Sequence, residues 1–124
     1  MLFRSPSNPL ASIGPILAVA GVRDGIARAR ARGVTCVAVS GIIGGRAVRG
    51  PADRMLASLG HEPTALGVAR LYADVADAFV LDREDAALAP AVAALGVRPI
   101  VLDTLMRDRQ DRARFAADLL GAVG

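Results

Sequence analysis

The sequence predicts an α/β fold: a mostly parallel sheet of three to four strands with helices flanking it. Three observations carry this. Short apolar runs rich in β-branched residues recur along the chain, amphipathic stretches at helical spacing lie between them, and the clear runs each end in a polar residue. Strand alternating with helix implies parallel pairing through right-handed crossovers, hence a Rossmann-like three-layer sandwich. Its 124 residues form a single domain, residues 1–124, long enough to bury a core.

The strands come first. Val34–Ser40 is nearly continuous in apolar residues, as expected of a strand covered on both faces. Ala78–Asp82 and Arg98–Asp103 read the same way, and Leu2–Arg4 is read as the stub of another strand. Five helices are expected around them. Val22–Arg32 lies between Gly21 and Gly33, with Val22, Ile26 and Ala29 on one face. Pro51–Leu59 starts on a proline, buries Met55, Leu56 and Leu59, and stops at Gly60. Thr64–Tyr72 turns Leu66, Ala69 and Tyr72 inward. Glu84–Leu95 carries one stripe of Ala87, Leu88, Ala91, Val92 and Leu95 and ends at Gly96. Asp108–Val123 has Asp108 as N-cap and packs Phe115, Leu119 and Leu120. Ser40, Asp82 and Asp103 then stand at the carboxyl ends of the strands, where ligands of such sheets collect.

Composition excludes several function classes. Apolar residues make up 53% of the chain, too many for a disordered one, while aromatics are only 3%, so the core rests on Ala, Val, Leu and Ile. The net charge of +3 does not make a nucleic-acid surface. Arg107, Arg109, Arg112 and Arg114 alternate with Asp108, Asp111 and Asp118, and no aromatic interleaves with them to stack bases. The longest uncharged stretch, Ser5–Val22, is broken by Pro6, Pro9 and Pro15, against a membrane span or a signal peptide. The lone Cys36 forms no disulfide framework and suits a reducing compartment. A cytoplasmic protein binding neither membrane nor nucleic acid is therefore expected.

Two segments stand out as candidate sites. Ser7, Asn8 and Ser12, set among Pro6 and Pro9, offer an amide and hydroxyls to an anion or a polar ring; the same residues are equally ordinary turn formers. Ser40 to Arg46, running on through Arg49-Gly50-Pro51, places Gly44 and Gly45 just past a strand, where backbone N–H groups could approach a phosphate and an arginine could add a cation. A plain strand-to-helix connection fits the same residues, because neither P-loop nor dinucleotide glycine spacing is present. His61 follows a helix stop with no second ligand nearby. Asp82, Asp85 and Asp103 suit either Mg2+ or helix capping. No catalytic nucleophile and no metal ligand is assigned from the pattern.

Several motifs in series resemble one family. Ser7-Asn8-Pro9 with Ser12-Ile13-Gly14-Pro15-Ile16-Leu17, then Val37-Ala38-Val39-Ser40 leading to Gly44-Gly45-Arg46-Ala47-Val48-Arg49-Gly50-Pro51-Ala52, are similar to the 2-phospho-L-lactate transferases of coenzyme F-420 biosynthesis. The likeness continues through Leu59-Gly60-His61, Ala65-Leu66-Gly67-Val68-Ala69, Tyr72-Ala73-Asp74 and Phe79-Val80-Leu81-Asp82 to Asp103-Thr104-Leu105-Met106.

The resemblance implies a transferase that moves a phospholactyl or phosphoenolpyruvyl group from a guanosine-diphosphate-linked donor to the deazaflavin precursor Fo, releasing GMP and using Mg2+. The terminal hydroxyl of Fo attacks the donor phosphorus, so positioning and charge neutralisation carry the catalysis. Ser7 and Asn8 would face the donor nucleotide or the acceptor, and Ser40 to Arg46 would line the same cleft. The likeness covers only the C-terminal part of the family chain. It leaves out an N-terminal strand with a Gly-rich turn and the aspartates used for metal and deazaflavin. Gly41 stands where the family commonly has proline. The expectation is an incomplete transferase, inactive alone, that forms a homodimer or pairs with an N-terminal half. The alternative is a non-catalytic α/β module that pairs with another chain.

Overall fold

A computed structural model describes residues 7–123. The expected strand at Leu2–Arg4, together with Ser5 and Pro6, lies outside the described residues. The elements run as follows: a π-helical turn Pro9–Ile13, α1 (Gly14–Ala18), α2 (Val22–Ala31), β1 (Val37–Val39), β2 (Ile42–Ile43), β3 (Arg46–Ala47), α3 (Ala52–Ser58), α4 (Ala65–Tyr72), β4 (Ala78–Asp82), a 3-10 turn Arg83–Leu88, α5 (Ala89–Ala93), β5 (Arg98–Leu102) and α6 (Arg109–Val123).

The architecture is α/β. Three parallel strands take the order β1-β4-β5. The central strand β4 is buried at all five positions, because it is paired on both edges and covered on both faces. Its side chains alternate between two cores. Phe79 and Leu81 join Leu56, Val68, Tyr72 and Val92 beneath α1 to α5, whereas Ala78 and Val80 join Ile100, Phe115 and Leu119 beneath α6. The crossovers between strands thus share one face and the last helix covers the other.

Local chemistry explains several elements. Thr64 caps α4 by accepting the Gly67 N–H at 3.2 Å. Gly67 itself is required by close approach: a Cβ there would meet the Glu62 carbonyl oxygen at 1.8 Å. Asp77 accepts from the Cys36 N–H at 2.8 Å and pairs with Arg30, which fixes the entry to β1 against the entry to β4. Arg30 beside it and the Cys36 N–H hold the Asp77 carboxyl below the usual carboxylate range.

Four expectations are corrected. The strand expected over Val34–Ser40 shortens to Val37–Val39. The helix expected over Glu84–Leu95 divides into the 3-10 turn and α5, since Pro90 lacks the N–H that a continuous helix needs and sits in the first turn of α5. Leu59 is 63% exposed because it falls at the C-cap of α3, and Leu120 is 47% exposed because α6 turns Leu119 inward instead. Pro9 and Pro15 each sit in a first helical turn, and the helical segments Pro9–Ala18 and Val22–Ala31 meet at 81° across Gly21. Among the described residues no single helix is long and apolar enough to cross a membrane.

Candidate functional site

A cleft of about 130 Å3 opens at the carboxyl ends of the strands. One side is built by Ser7, Asn8 and Pro9, entering the π-helical turn. Its floor is Ser40, Gly41 and Ile42 after β1, its far side Val48, Arg49 and Ala52 before and within α3, and its mouth Thr104, Met106 and Arg112 between β5 and α6. Two segments far apart in sequence, Ser7–Asn8 and Ser40–Gly41, therefore share one cavity.

The side chains in it are held by their own surroundings. Asn8 Oδ1 accepts the N–H groups of Leu10 and Ala11 at 2.9 and 3.0 Å, and its Nδ2 donates to Met55 Sδ at 3.3 Å. The amide thus ties the turn to α3. Ser40, 2% exposed, donates its hydroxyl to the Ile42 carbonyl at 2.9 Å and accepts the Ile42 N–H at 3.1 Å. Its role is to shape the turn that forms the cleft floor. Thr104 donates both its N–H and its hydroxyl to Asp82 Oδ1, at 2.9 and 3.0 Å, which fixes the loop after β5 against the end of β4.

The remaining expected residues stand elsewhere. Ser12 is exposed on the π-helical turn and does not line the cleft. Gly44 and Gly45 form the two-residue tip of a β-hairpin, with Ile43 opposite Arg46 and Ile42 opposite Ala47. Their φ angles of 59° and 81° are the left-handed pair that a tight hairpin turn requires, which only glycine adopts freely. The connection after β1 is thus a hairpin and not a phosphate loop opening a helix. The Gly44 N–H is already donated to the Asp85 carboxylate, 3.2 Å from each oxygen, and Arg46 projects from the hairpin into solvent.

The acidic residues serve the frame. Burial pushes the Asp82 carboxyl up, but the N–H of Glu84 and the N–H and hydroxyl of Thr104 outweigh it and hold it below its ordinary value. Asp85 goes the other way: burial raises it, the Gly44 N–H only partly offsets that, and nearby Asp82 raises it further. Asp103 accepts the Leu105 N–H and faces Arg114 at 3.8 Å. Among the described residues no three potential metal ligands gather, and the cleft lining contains no carboxylate. Thr104, Met106 and Arg112 were not singled out as site residues by the sequence, whereas Arg49 lay in the continuation of the glycine-rich candidate segment. For Arg112 there was no signal, because four arginines alternate with acids there.

A second cavity of about 210 Å3 is apolar and runs along β1. Ile13, Leu17 and Ile26 form one wall, Val37 to Val39 the floor, and Tyr72, Val75 and Ala76 the other wall. Burial pushes the Tyr72 phenol up to about 12, so it stays neutral.

Comparison with known proteins supplies the family. A family model described as 2-phospho-L-lactate transferase CofD matches residues 1–120. The chain is 43% identical over 116 residues to a phosphoenolpyruvate transferase of Streptomyces griseus, covering 93% of this chain and 36% of that protein. It is 37% identical over 123 residues to a 2-phospho-L-lactate transferase of Methanothermobacter thermautotrophicus, covering 99% and 39%. A 2-phospho-L-lactate transferase of Methanosarcina barkeri is 39% identical over 116 residues, covering 94% and 36%. The chain spans little more than a third of the length of these relatives.

Proposed function

Since the chain belongs to the 2-phospho-L-lactate transferase family, we propose that it supplies one wall of a site that transfers a phospholactyl or phosphoenolpyruvyl group in coenzyme F-420 biosynthesis. The observation that carries the reading is the shared cleft: the Ser7–Asn8 turn and the Ser40–Gly41 turn border one cavity at the carboxyl ends of parallel strands. The donor is linked to guanosine diphosphate and the acceptor is the deazaflavin Fo. The acceptor hydroxyl oxygen forms a bond to the donor phosphorus as the phosphorus–oxygen bond to GMP breaks, and the hydroxyl proton is lost. This chain's contribution is to position the donor and neutralise its charge.

Mg2+ belongs to this reading, but the described residues do not fit it. The cleft has no carboxylate, and the oxygens of Asp82 and Asp85 are taken up by backbone and threonine donors. Its ligands are proposed to come from the remainder of a family-length protein, which would close the cleft from the opposite side. That remainder, or a second copy of this chain, would cover the apolar cavity along β1. A cytoplasmic setting accompanies the reading, in keeping with the single unpaired thiol.

The test is a titration of the chain with GDP and Mg2+, alone and together with the N-terminal two-thirds of a relative. Binding that prefers GDP to ADP supports the transferase site. No GDP binding in either case removes it. The non-catalytic pairing module would then take its place, favoured by the outer edge of β1, which no strand among the described residues pairs.

A further inference from the structure

From the make-up of the cleft we infer that Arg49 and Arg112 form a two-armed clamp for a diphosphate or similar phosphoryl anion, one arm from each face of the sheet. The inference rests on the preceding reading only for the identity of the nucleoside attached to that anion. Arg49 comes from the α3 side. The Val48 N–H donates to the Gly41 carbonyl at 3.0 Å, extending the β2–β3 ladder and laying the next residue beside the end of β1. Arg112 comes from α6, on the opposite face.

The position of α6 is fixed by a different arginine. Arg114 donates to the carbonyls of Asp103 and Leu105, at 3.0 and 3.2 Å, on the loop that also carries Thr104 and Met106 of the cleft. Asp108 caps the Asp111 N–H at 2.8 Å, and Asp111 accepts the Arg107 N–H at 3.0 Å, so the first turn of the helix is set by its own acids. The guanidinium of Arg112 is left with no carboxylate partner among the described residues, and so is that of Arg49. With two cations and no carboxylate in its lining, the cleft favours an anion, and a pair of planar guanidinium forks suits the oxygens of a diphosphate. The Thr104 N–H and hydroxyl are spent on Asp82 and the Ser40 hydroxyl on the Ile42 carbonyl, so the two arginines are the charge-assisted donors of the lining.

The test uses inorganic pyrophosphate as probe, titrated calorimetrically into the 124-residue chain, with GDP and ADP as further ligands. Arg49→Gln and Arg112→Gln are each expected to weaken pyrophosphate binding about tenfold, as loss of one charge-assisted contact would. Arg109→Gln, on the same helix but outside the cleft, is expected to leave it unchanged. Far-ultraviolet circular dichroism and melting of each variant verify that the fold is retained. Failure of the parent chain to bind pyrophosphate, or equal weakening by all three variants, would overturn the clamp. GDP binding that survives Arg49→Gln and Arg112→Gln would overturn it too, while leaving the guanine-nucleotide reading standing. Pyrophosphate binding lost in those variants, without preference for GDP over ADP, upholds the clamp and removes that reading instead.

Discussion

The two margins of the sheet differ in a way that the central strand makes visible. The Arg98 N–H donates to the Asp77 carbonyl at 3.0 Å, so Arg98, Ile100 and Leu102 of β5 face β4, and Pro99 and Val101 point outward. A proline at that outward position has no N–H to offer a further strand. In β1 the Ser40 N–H donates to Val80 and Cys36 accepts from Ala78, so the N–H and carbonyl groups of Val37 and Val39 point away from β4. Among the described residues no proline or charge blunts that margin, and the apolar cavity lies along it. Among the described residues no strand pairs with the outer side of either β1 or β5, and only β5 carries a proline there. That contrast locates where added polypeptide would continue it.

The largest expected effect tests whether the two margins differ in packing. Ile100→Ala in β5 should cost about 2–5 kcal/mol by urea unfolding, as truncation of a buried aliphatic side chain does. Val39→Ala in β1, where the side chain is only half-buried, should cost well under half as much in the chain alone. Equal losses would mean that β1 is already covered. The next effect concerns the central strand that both margins share. Asp82→Asn leaves the Glu84 and Thr104 donors poorly matched and should cost about 1–3 kcal/mol.

The same residue sets an acid limit. Its carboxyl lies lower folded than unfolded, so its stabilisation is present above the unfolded value of about 4 and is lost as pH falls through the folded one. Asp85, raised in the fold, contributes in the opposite sense: protonation through its raised folded value relieves a penalty that is present at higher pH. An unfolding series from pH 7 to pH 2 in the parent and in Asp82→Asn should therefore show a weaker acid dependence in the variant.

Smaller effects sharpen the comparison of margins. Val101→Pro and Val39→Pro each remove an outward N–H and should cost only about 1 kcal/mol or less in the isolated chain. With the N-terminal part of a relative present, Val39→Pro should abolish association and Val101→Pro should not, as read by sedimentation. The smallest concerns Cys36, whose thiol is raised by burial. Its alkylation at pH 8 should be slower than that of a free thiol, and slower again once β1 is covered.

Much of this arrangement was legible in short-range patterns. Strands at Ala78–Asp82 and Arg98–Leu102 follow from β-branched runs, and α4 from its threonine cap and its spacing, because those signals act over a few residues. The ordered motif series from Ser7 to Met106 identified the family for the same reason. Other features were hidden. Gly44-Gly45 reads alike as a phosphate loop or a plain strand-to-helix connection, and the pairing of Ile43 with Arg46 makes it a hairpin tip instead. The bonds of Asn8 and Ser40 to nearby backbone, beside their place in the cleft, likewise left no mark in the sequence.

Sequence alone determined the class of fold and the edge at which polar residues gather, since periodicity and strand ends are properties of neighbouring residues. Tertiary structure alone decided which polar groups remain free there. Asn8, Ser40 and Asp82 are consumed by partners close in space, whereas Arg49 and Arg112 are brought from opposite faces to one cleft. Such meetings depend on how helices pack across the sheet, and no local pattern of charge records them.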